Sequence, residues 1–137
     1  MKVFFDTNVY VAEALLGKAA EEMLSATQAA SWRIYVSQTV LDEIERVLVD
    51  YFGFSRRLSR LTRQRCTRRS GYVLESPSRH DVPEDPADSP ILRAALVAGV
   101  DYLVTNDNDL LRLNPYEGLR VISMAAYFEM LQDEGHI

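Results

Sequence analysis

The chain has 137 residues, a single cysteine and a net charge of −5. This length predicts one domain over residues 1–137 that buries roughly two-thirds of its unfolded surface, and the apolar share of 47% excludes a disordered chain. One cysteine excludes an internal disulfide, and no apolar run approaches the ~20 residues of a membrane span. The first residues lack the apolar core of a secretion signal, so we expect a cytoplasmic protein without membrane contacts.

Predicted strands and helices alternate through the first half of the chain. Lys2–Phe5 is a β-prone run, Val9–Ala30 is a predicted helix broken near Gly17, and Arg33–Val36 is a second strand. Ser37 is a favoured residue type for capping the helix that follows. That helix has one apolar stripe at helical spacing, formed by Val40, Leu41, Ile44, Val47, Leu48 and Tyr51.

The middle of the chain is dominated by arginine. Ser55–Ser70 is predicted to be helical, with Leu58 and Leu61 as a thin apolar line, and Tyr72–Leu74 is a candidate short strand. Ser76–Pro90 is rich in proline, serine and aspartate, a composition typical of a loop.

The last third returns to alternating elements. We predict a helix that Gly99 ends, a strand, a short helix, another strand and a final helix capped by Ser123. These elements are Pro90–Ala98, Tyr102–Thr105, Asn108–Leu113, Leu119–Ile122 and Met124–Gln132. The alternation predicts an α/β fold: a three-layer sandwich around a central, mainly parallel sheet of four to five strands.

Acidic residues lie where that sheet would bring strand ends together. Asp6 follows the first strand, Asp107 follows Tyr102–Thr105, and Asp88 opens the helix before that strand. Ligands of such sheets bind beyond the carboxyl ends of the strands. Two carboxylates about 4 Å apart repel by roughly 4 kcal/mol at an effective dielectric of 20, and a divalent cation held by oxygen ligands relieves that repulsion. The alternative is that each aspartate only caps a helix.

A fourth acid is less well defined by spacing. Glu43 and Glu45 both lie on the rim of the predicted helical stripe, so geometry alone does not choose between them. Short polar residues flank the aspartates and are suited either to orient ligating carboxylates or to form turns. They are Thr7, Asn8, Thr105 and Asn106.

Charge is distributed unevenly along the chain. Seven of the fifteen cationic residues lie between positions 56 and 69, where no acid occurs, leaving eight against twenty acids elsewhere. Such a run is either a solvated face or a contact for a polyanion or an acidic partner.

The order and setting of the acids resemble the PIN domain, the ribonuclease domain of many prokaryotic toxin–antitoxin toxins. VFFDTNV resembles its opening aspartate motif, SQTVLDEIERVL its glutamate segment, and DPADSPILRAALVAGVDYLVTNDNDLL its longest signature. The resemblance selects Glu43 over Glu45 and implies a metal site of Asp6, Glu43, Asp88 and Asp107, with Asp85 and Asp109 auxiliary. The denser acidic run of related proteins is replaced here by DPAD, and Asn106 stands where glycine is common.

The resemblance also implies a function. It predicts an Mg²⁺- or Mn²⁺-dependent endoribonuclease that leaves a 5′-phosphate, forms a homodimer and is inhibited by a small cognate antitoxin. We further hypothesise that the arginine-rich stretch contacts the RNA backbone or a partner through Arg56, Arg57, Arg60 and Arg63. The rival interpretations are a metal-stabilised binding module, a nuclease acting on DNA, and a phosphoacceptor domain, although Thr7 and Asn8 replace the acidic pair expected of the last.

Overall fold

The computed structural model describes residues 1–74 and 89–137, and within them the chain forms seven helices and five strands. In chain order they are β1 (Lys2–Phe5), α1 (Thr7–Ala14), α2 (Lys18–Ala29), β2 (Arg33–Ser37), α3 (Gln38–Asp50), α4 (Arg56–Arg69), β3 (Tyr72–Leu74), α5 (Ser89–Ala98), β4 (Tyr102–Val104), α6 (Asn108–Leu111), β5 (Arg120–Ile122) and α7 (Met124–Asp133).

All five strands join one parallel sheet in the order β3-β2-β1-β4-β5. The chain moves outward from β1 to β3 on one side and then crosses to β4 and β5 on the other. Because crossover connections between parallel strands are right-handed, this reversal distributes the connecting helices over both faces. The α/β three-layer prediction is therefore confirmed, and the sheet has the upper of the two expected strand numbers.

Side-chain caps account for where most helices begin. Asp6, Ser37, Ser55 and Ser123 accept hydrogen bonds from backbone amides in the first turns of α1, α3, α4 and α7. The break predicted near Gly17 is confirmed, because α1 ends at Ala14 and α2 begins at Lys18. A Cβ at Gly17 would lie only 2.8 Å from the carbonyl oxygen of Ala12, so this close approach requires glycine.

The core lies between the sheet and the helices. Val3, Phe4 and Phe5 of the central strand are fully buried, as expected for a parallel strand covered on both faces. Around them one continuous apolar cluster joins residues of every helix from α1 to α7.

Several details differ from the sequence predictions. Helix α1 begins at Thr7, before the predicted start, because Asp6 caps it, and α6 ends two residues early, at Leu111. Tyr51 was predicted to end the apolar stripe of α3 but is exposed.

The apolar line predicted on the arginine-rich helix is wrong. Leu58 and Leu61 are exposed, whereas α4 buries Ser59, Thr62 and Cys66. The small residues let α4 approach its neighbour closely, and the Ser59 and Thr62 hydroxyls donate to backbone carbonyls one turn earlier.

The predicted loop Ser76–Pro90 lies largely outside the described residues, as do Asp85 and Asp88. Helix α5 begins at Ser89 and is followed by Gly99, whose φ of +64° is the left-handed conformation expected of a helix stop. None of the helices in the described ranges is both long and apolar enough to cross a bilayer.

Candidate active site

The candidate site lies at the carboxyl ends of β1 and β4, the two neighbouring strands at which the strand order reverses. Phe5 and Val104 are partners in the parallel ladder, so Asp6 and Thr105 leave the sheet side by side. The Asp6 amide extends the ladder by donating to the Val104 carbonyl at 2.9 Å. Crevices at such reversal points are the usual ligand sites of parallel sheets.

Asp6 is the most buried acid of this edge, at 4% exposure. One carboxylate oxygen accepts the Thr7 amide at 2.7 Å, which caps α1, and the other accepts the Thr105 hydroxyl at 2.7 Å. Asp6 therefore does cap a helix, as the alternative to a metal site predicts. Capping does not account for the second oxygen, which bonds across the sheet to the end of β4.

Thr105 links two of the predicted site residues. Its hydroxyl is fully buried, donates to Asp6 and accepts the Asp107 amide at 3.0 Å. Asp107 is itself an N-cap, since its carboxylate accepts the Asp109 amide at 2.8 Å. A single threonine thus fixes the side chain of one aspartate and the backbone of the other.

Glu43 reaches this edge from the helix α3. Its carboxylate accepts the Thr7 hydroxyl at 2.7 Å, one residue from Asp6. Glu45, the alternative on the same helix, instead points toward Arg63, 3.8 Å away. The contacts therefore separate two acids that helical spacing alone could not.

The pKa of Asp6 depends on its burial and on its neighbours. Burial raises its pKa to about 6, with smaller upward contributions from the negative charges of Glu43 and Asp107. The Thr105 and Thr7 hydrogen bonds lower the pKa but do not offset burial. Asp6, Glu43 and Asp107 are thus close enough to interact, and burial makes ionisation of Asp6 less favourable than it is in water.

Other predicted residues are placed differently. The carboxylate of Asp109, an expected auxiliary ligand, pairs with Arg112 at 2.9 Å. The side-chain carbonyl of Asn106 accepts the Met124 amide at 3.0 Å and so anchors α7 rather than a carboxylate. Asn8 is exposed and makes no side-chain hydrogen bond with any part of residues 1–74 or 89–137.

The described side chains alone do not form a complete metal centre. Across the two described ranges, no group of three or more His, Cys, Asp and Glu residues has the spacing needed to hold an ion. Asp85 and Asp88, which were expected to contribute, lie outside those ranges. The donor set at the edge consists of carboxylate oxygens and includes a buried acid, which suits Mg²⁺ or Mn²⁺ better than a metal that prefers nitrogen or sulfur.

The arginine-rich helix α4 is attached to two of the helices that form this edge. Arg69 makes a two-pronged contact with Glu13 of α1 at 2.6 and 2.7 Å, and Arg63 lies 2.7 Å from Asp42 of α3. Sequence reasoning did not identify Glu13 or Asp42, because their partners lie 56 and 21 residues away and no local pattern marks such a pair.

A family model described as the PIN domain matches residues 2–109, a range that contains Asp6, Glu43, Asp88 and Asp107. No curated protein matches the chain.

Proposed function

Because this chain belongs to the PIN domain family, whose members are generally nucleases and usually depend on a metal, we propose that it is a divalent-metal-dependent ribonuclease. The proposed reaction is hydrolysis of RNA phosphodiester bonds. The observation that carries the proposal is the buried Asp6 carboxylate, which Thr105 links to Asp107 and which interacts electrostatically with Glu43.

We assign the metal ligands to Asp6, Glu43, Asp88 and Asp107, with Mg²⁺ or Mn²⁺ as the ion. When bound, the ion would lower the pKa of a coordinated water and stabilise negative charge on the scissile phosphate. Asp85 remains a proposed auxiliary ligand. Asp109 is a weaker candidate for an auxiliary ligand than Asp85, because Arg112 donates to one of its carboxylate oxygens.

The chain's own residues would orient these carboxylates before any substrate arrives. The Thr7 hydroxyl donates to Glu43 and the Thr105 hydroxyl donates to Asp6, so each hydroxyl fixes one carboxylate rotamer. Hydrogen bonds of this kind hold ligands in the geometry that the ion requires. Asp6 also lies at the N-terminus of α1, where the helix dipole favours the ionised carboxylate.

The biological setting belongs to the same proposal. By its likeness to toxin-type PIN domains, the chain would act in the cytoplasm as the toxin of a toxin–antitoxin pair. It would form a homodimer, leave a 5′-phosphate on its products and be inhibited by a small cognate antitoxin.

The test is cleavage of single-stranded and structured RNA by the purified protein in Mg²⁺, Mn²⁺ or EDTA. The Asp6→Asn variant should lose metal-dependent cleavage. The matched control is Asp101→Asn, the same substitution just before β4, where the carboxylate accepts the Lys2 amide at the opposite edge of the sheet. That variant should cleave like the wild type.

Three results would contradict the proposal. Cleavage that persists in Asp6→Asn would point to a contaminating nuclease. Cleavage of DNA in preference to RNA would reassign the substrate. A folded, inhibitor-free protein that is stabilised by metal but cleaves neither polymer would favour the binding module.

A further inference from the structure

The seven arginines of α4 fall into two groups. Arg63, Arg65 and Arg69 are ion-paired: Arg63 with Asp42 and Glu45 of α3, and the other two with Glu13 of α1. One flank of α4 is thus paired with α3 and the opposite flank with α1. These ion pairs hold the helix in place and neutralise part of its charge.

The remaining arginines form no ion pair with any residue of the two described ranges. They are Arg56, Arg57, Arg60 and Arg68, and all four are exposed. Arg63 was predicted to contact RNA or a partner, but its 2.7 Å contact with Asp42 gives it a different primary role.

Helical geometry places most of these free cations on one face. At about 100° per residue, Arg57, Arg60, Gln64 and Arg68 point away from the protein, opposite the buried Ser59, Thr62 and Cys66. We call these four residues the arginine stripe. It extends about 16 Å along the helix.

Among the residues that the structure describes, no acid lines the depression beside the stripe. This open depression of about 420 Å³ is lined by Arg63, Gln64, Thr67 and Arg68. The groove between α3 and α4 differs, because its volume of about 330 Å³ is lined by Asp42, Glu45 and Asp50 together with arginines. A polyanion would meet repulsion from the three acids of that groove, which Arg60 of the stripe also lines, and none from the described residues that line the depression beside Arg68.

We propose that the arginine stripe is a second binding site, which holds the sugar-phosphate backbone of the nucleic-acid substrate. It is separate from the acidic edge, the name we give to Asp6, Glu43 and Asp107 at the carboxyl ends of β1 and β4. The proposal rests on the nuclease function proposed above. An acidic edge repels a polyanion at every phosphate except the one that a metal neutralises. Binding energy for the rest of the strand therefore has to come from another surface, and the stripe is the exposed cationic surface that α4 presents.

The chemistry of the stripe favours a nucleic-acid backbone over an acidic protein. Protein interfaces depend on buried aromatic and large apolar anchors, and no side chain of that type is among the described residues that line the depression. Arginine and glutamine side chains are common donors to phosphate oxygens, and such contacts carry no sequence information. The stripe should therefore bind single-stranded RNA and DNA with similar affinity.

The experiment compares Arg57→Gln/Arg60→Gln/Arg68→Gln with the parent protein. Both carry Asp6→Asn and are kept in EDTA, so that a labelled 12-nucleotide RNA is bound but not cut. Anisotropy measured over a range of salt concentrations gives the slope of log affinity against log salt. Each lost phosphate contact makes that slope shallower by about 0.7 on a single strand, so the triple variant should lose roughly 2 units of slope.

Two controls separate the stripe from net charge and from folding. Lys18→Gln/Arg33→Gln/Arg120→Gln removes the same charge from exposed positions at the starts of α2, β2 and β5, and it should keep the parent slope. Arg57→Lys/Arg60→Lys/Arg68→Lys keeps the charge and should also keep the slope.

The outcomes distinguish the two proposals. Without Asp6→Asn, the glutamine triple variant should cleave with kcat unchanged and KM raised at least about tenfold. If the slope and KM stay at the parent values, the stripe is not a nucleic-acid site, whatever the wild type cleaves. Loss of binding to polyglutamate with RNA binding intact would likewise overturn the stripe in favour of an acidic protein partner. A wild type that binds RNA through the stripe but never cleaves it would overturn only the nuclease function.

Discussion

The acidic edge and the arginine helix resolve the same problem, crowded like charge, in opposite ways. At the edge, Asp6 is buried and its carboxylate is held by neutral donors, the Thr7 amide and the Thr105 hydroxyl. On α4, three arginines are paired with acids of neighbouring helices, and the other four are exposed and form no ion pair with the described residues. Neutral donors fix the position of a carboxylate without cancelling its charge. Ion pairs cancel it.

That difference indicates what each region is organised to bind. A buried carboxylate whose charge is not cancelled remains available to a cation, and burial raises the pKa of Asp6 to about 6. The four unpaired arginines of α4 are exposed, so their charge is solvated without any ligand. Under the proposed function, the first region would bind a cation and the second an anion.

Substituting Asp6 should have the largest effect on activity. Asp6→Asn keeps the size of the side chain but removes the charge that would bind the ion, so cleavage should fall more than about 100-fold, beyond the loss expected from an outer hydrogen bond. Metal-free stability reflects two opposing effects, because the buried charge is gone but one of the two acceptor oxygens is replaced by an amide nitrogen. Urea denaturation in EDTA and cleavage assays in Mg²⁺ would measure both effects, with Asp101→Asn as the control.

The stability difference between Asp6→Asn and the wild type should depend on pH. The folded-state pKa of about 6 lies above the ordinary value of 3.8, so the folded state binds the proton more tightly. The contribution of Asp6 to stability is therefore present below pH 4 and lost as pH rises to about 6. The loss is at most roughly 3 kcal/mol. Relative to the wild type, the free energy of unfolding of Asp6→Asn should therefore increase between pH 4 and pH 6. An equal stability difference between the two proteins at pH 4 and pH 7 would contradict a raised pKa for Asp6.

Breaking the Arg69–Glu13 ion pair should have the next largest effect, which is a loss of stability. Both side chains are mostly buried, with exposures of 14% and 9%. Arg69→Met leaves Glu13 with only the longer 3.3 Å contact to Arg65, so unfolding should become easier by about 2–3 kcal/mol. Denaturant titration would measure this.

Arg63→Met is the matched control on the same helix. Its partner Asp42 is 60% exposed, and pairs of that kind contribute less than about 1 kcal/mol. Equal losses in the two variants would show that burial does not distinguish the two contacts. The double variant Glu13→Gln/Arg69→Met should recover part of the lost stability, because no uncompensated charge remains.

Thr105→Val tests whether neutral donors organise the acidic edge. The substitution removes the hydroxyl that joins Asp6 to the Asp107 amide, so stability should fall by about 1–2 kcal/mol and activity by roughly tenfold or more. Thr27→Val is the control, since Thr27 is also fully buried and bonds to the Met23 carbonyl and to Tyr127. It should lose similar stability with kcat unchanged. If both variants lose activity alike, Thr105 contributes to stability only.

The contrast between local and distant information explains what the sequence could predict. The end of β1, the Ser37 and Ser123 caps and the Gly17 break depend on neighbouring residues, and the sequence predicts them because local backbone chemistry determines them. The convergence of Asp6 and Asp107 followed from a general rule for parallel sheets. Glu43 was separated from Glu45 by family resemblance in the sequence and by the Thr7 and Arg63 contacts in the structure.

Features that depend on tertiary partners could not be predicted in this way. Arg63 and Arg69 look the same in sequence as Arg60 and Arg68, and only the neighbouring helices decide which are paired. The apolar line on α4 was wrong for the same reason. A helix that packs closely against another can bury serine, threonine and cysteine and leave its leucines outside, which reverses the ordinary hydrophobic pattern.

The smallest expected effect tests that reversal directly. Leu58→Ala and Leu61→Ala should each change the free energy of unfolding by less than about 0.5 kcal/mol, because both side chains are nearly half exposed, at 47% and 48%. Leu48→Ala on α3, whose side chain is fully buried, should cost about 2–5 kcal/mol in the same denaturant titration. If either α4 leucine instead costs as much as Leu48, it contributes to a core or an interface in solution, and the polar face of α4 is not the face that packs.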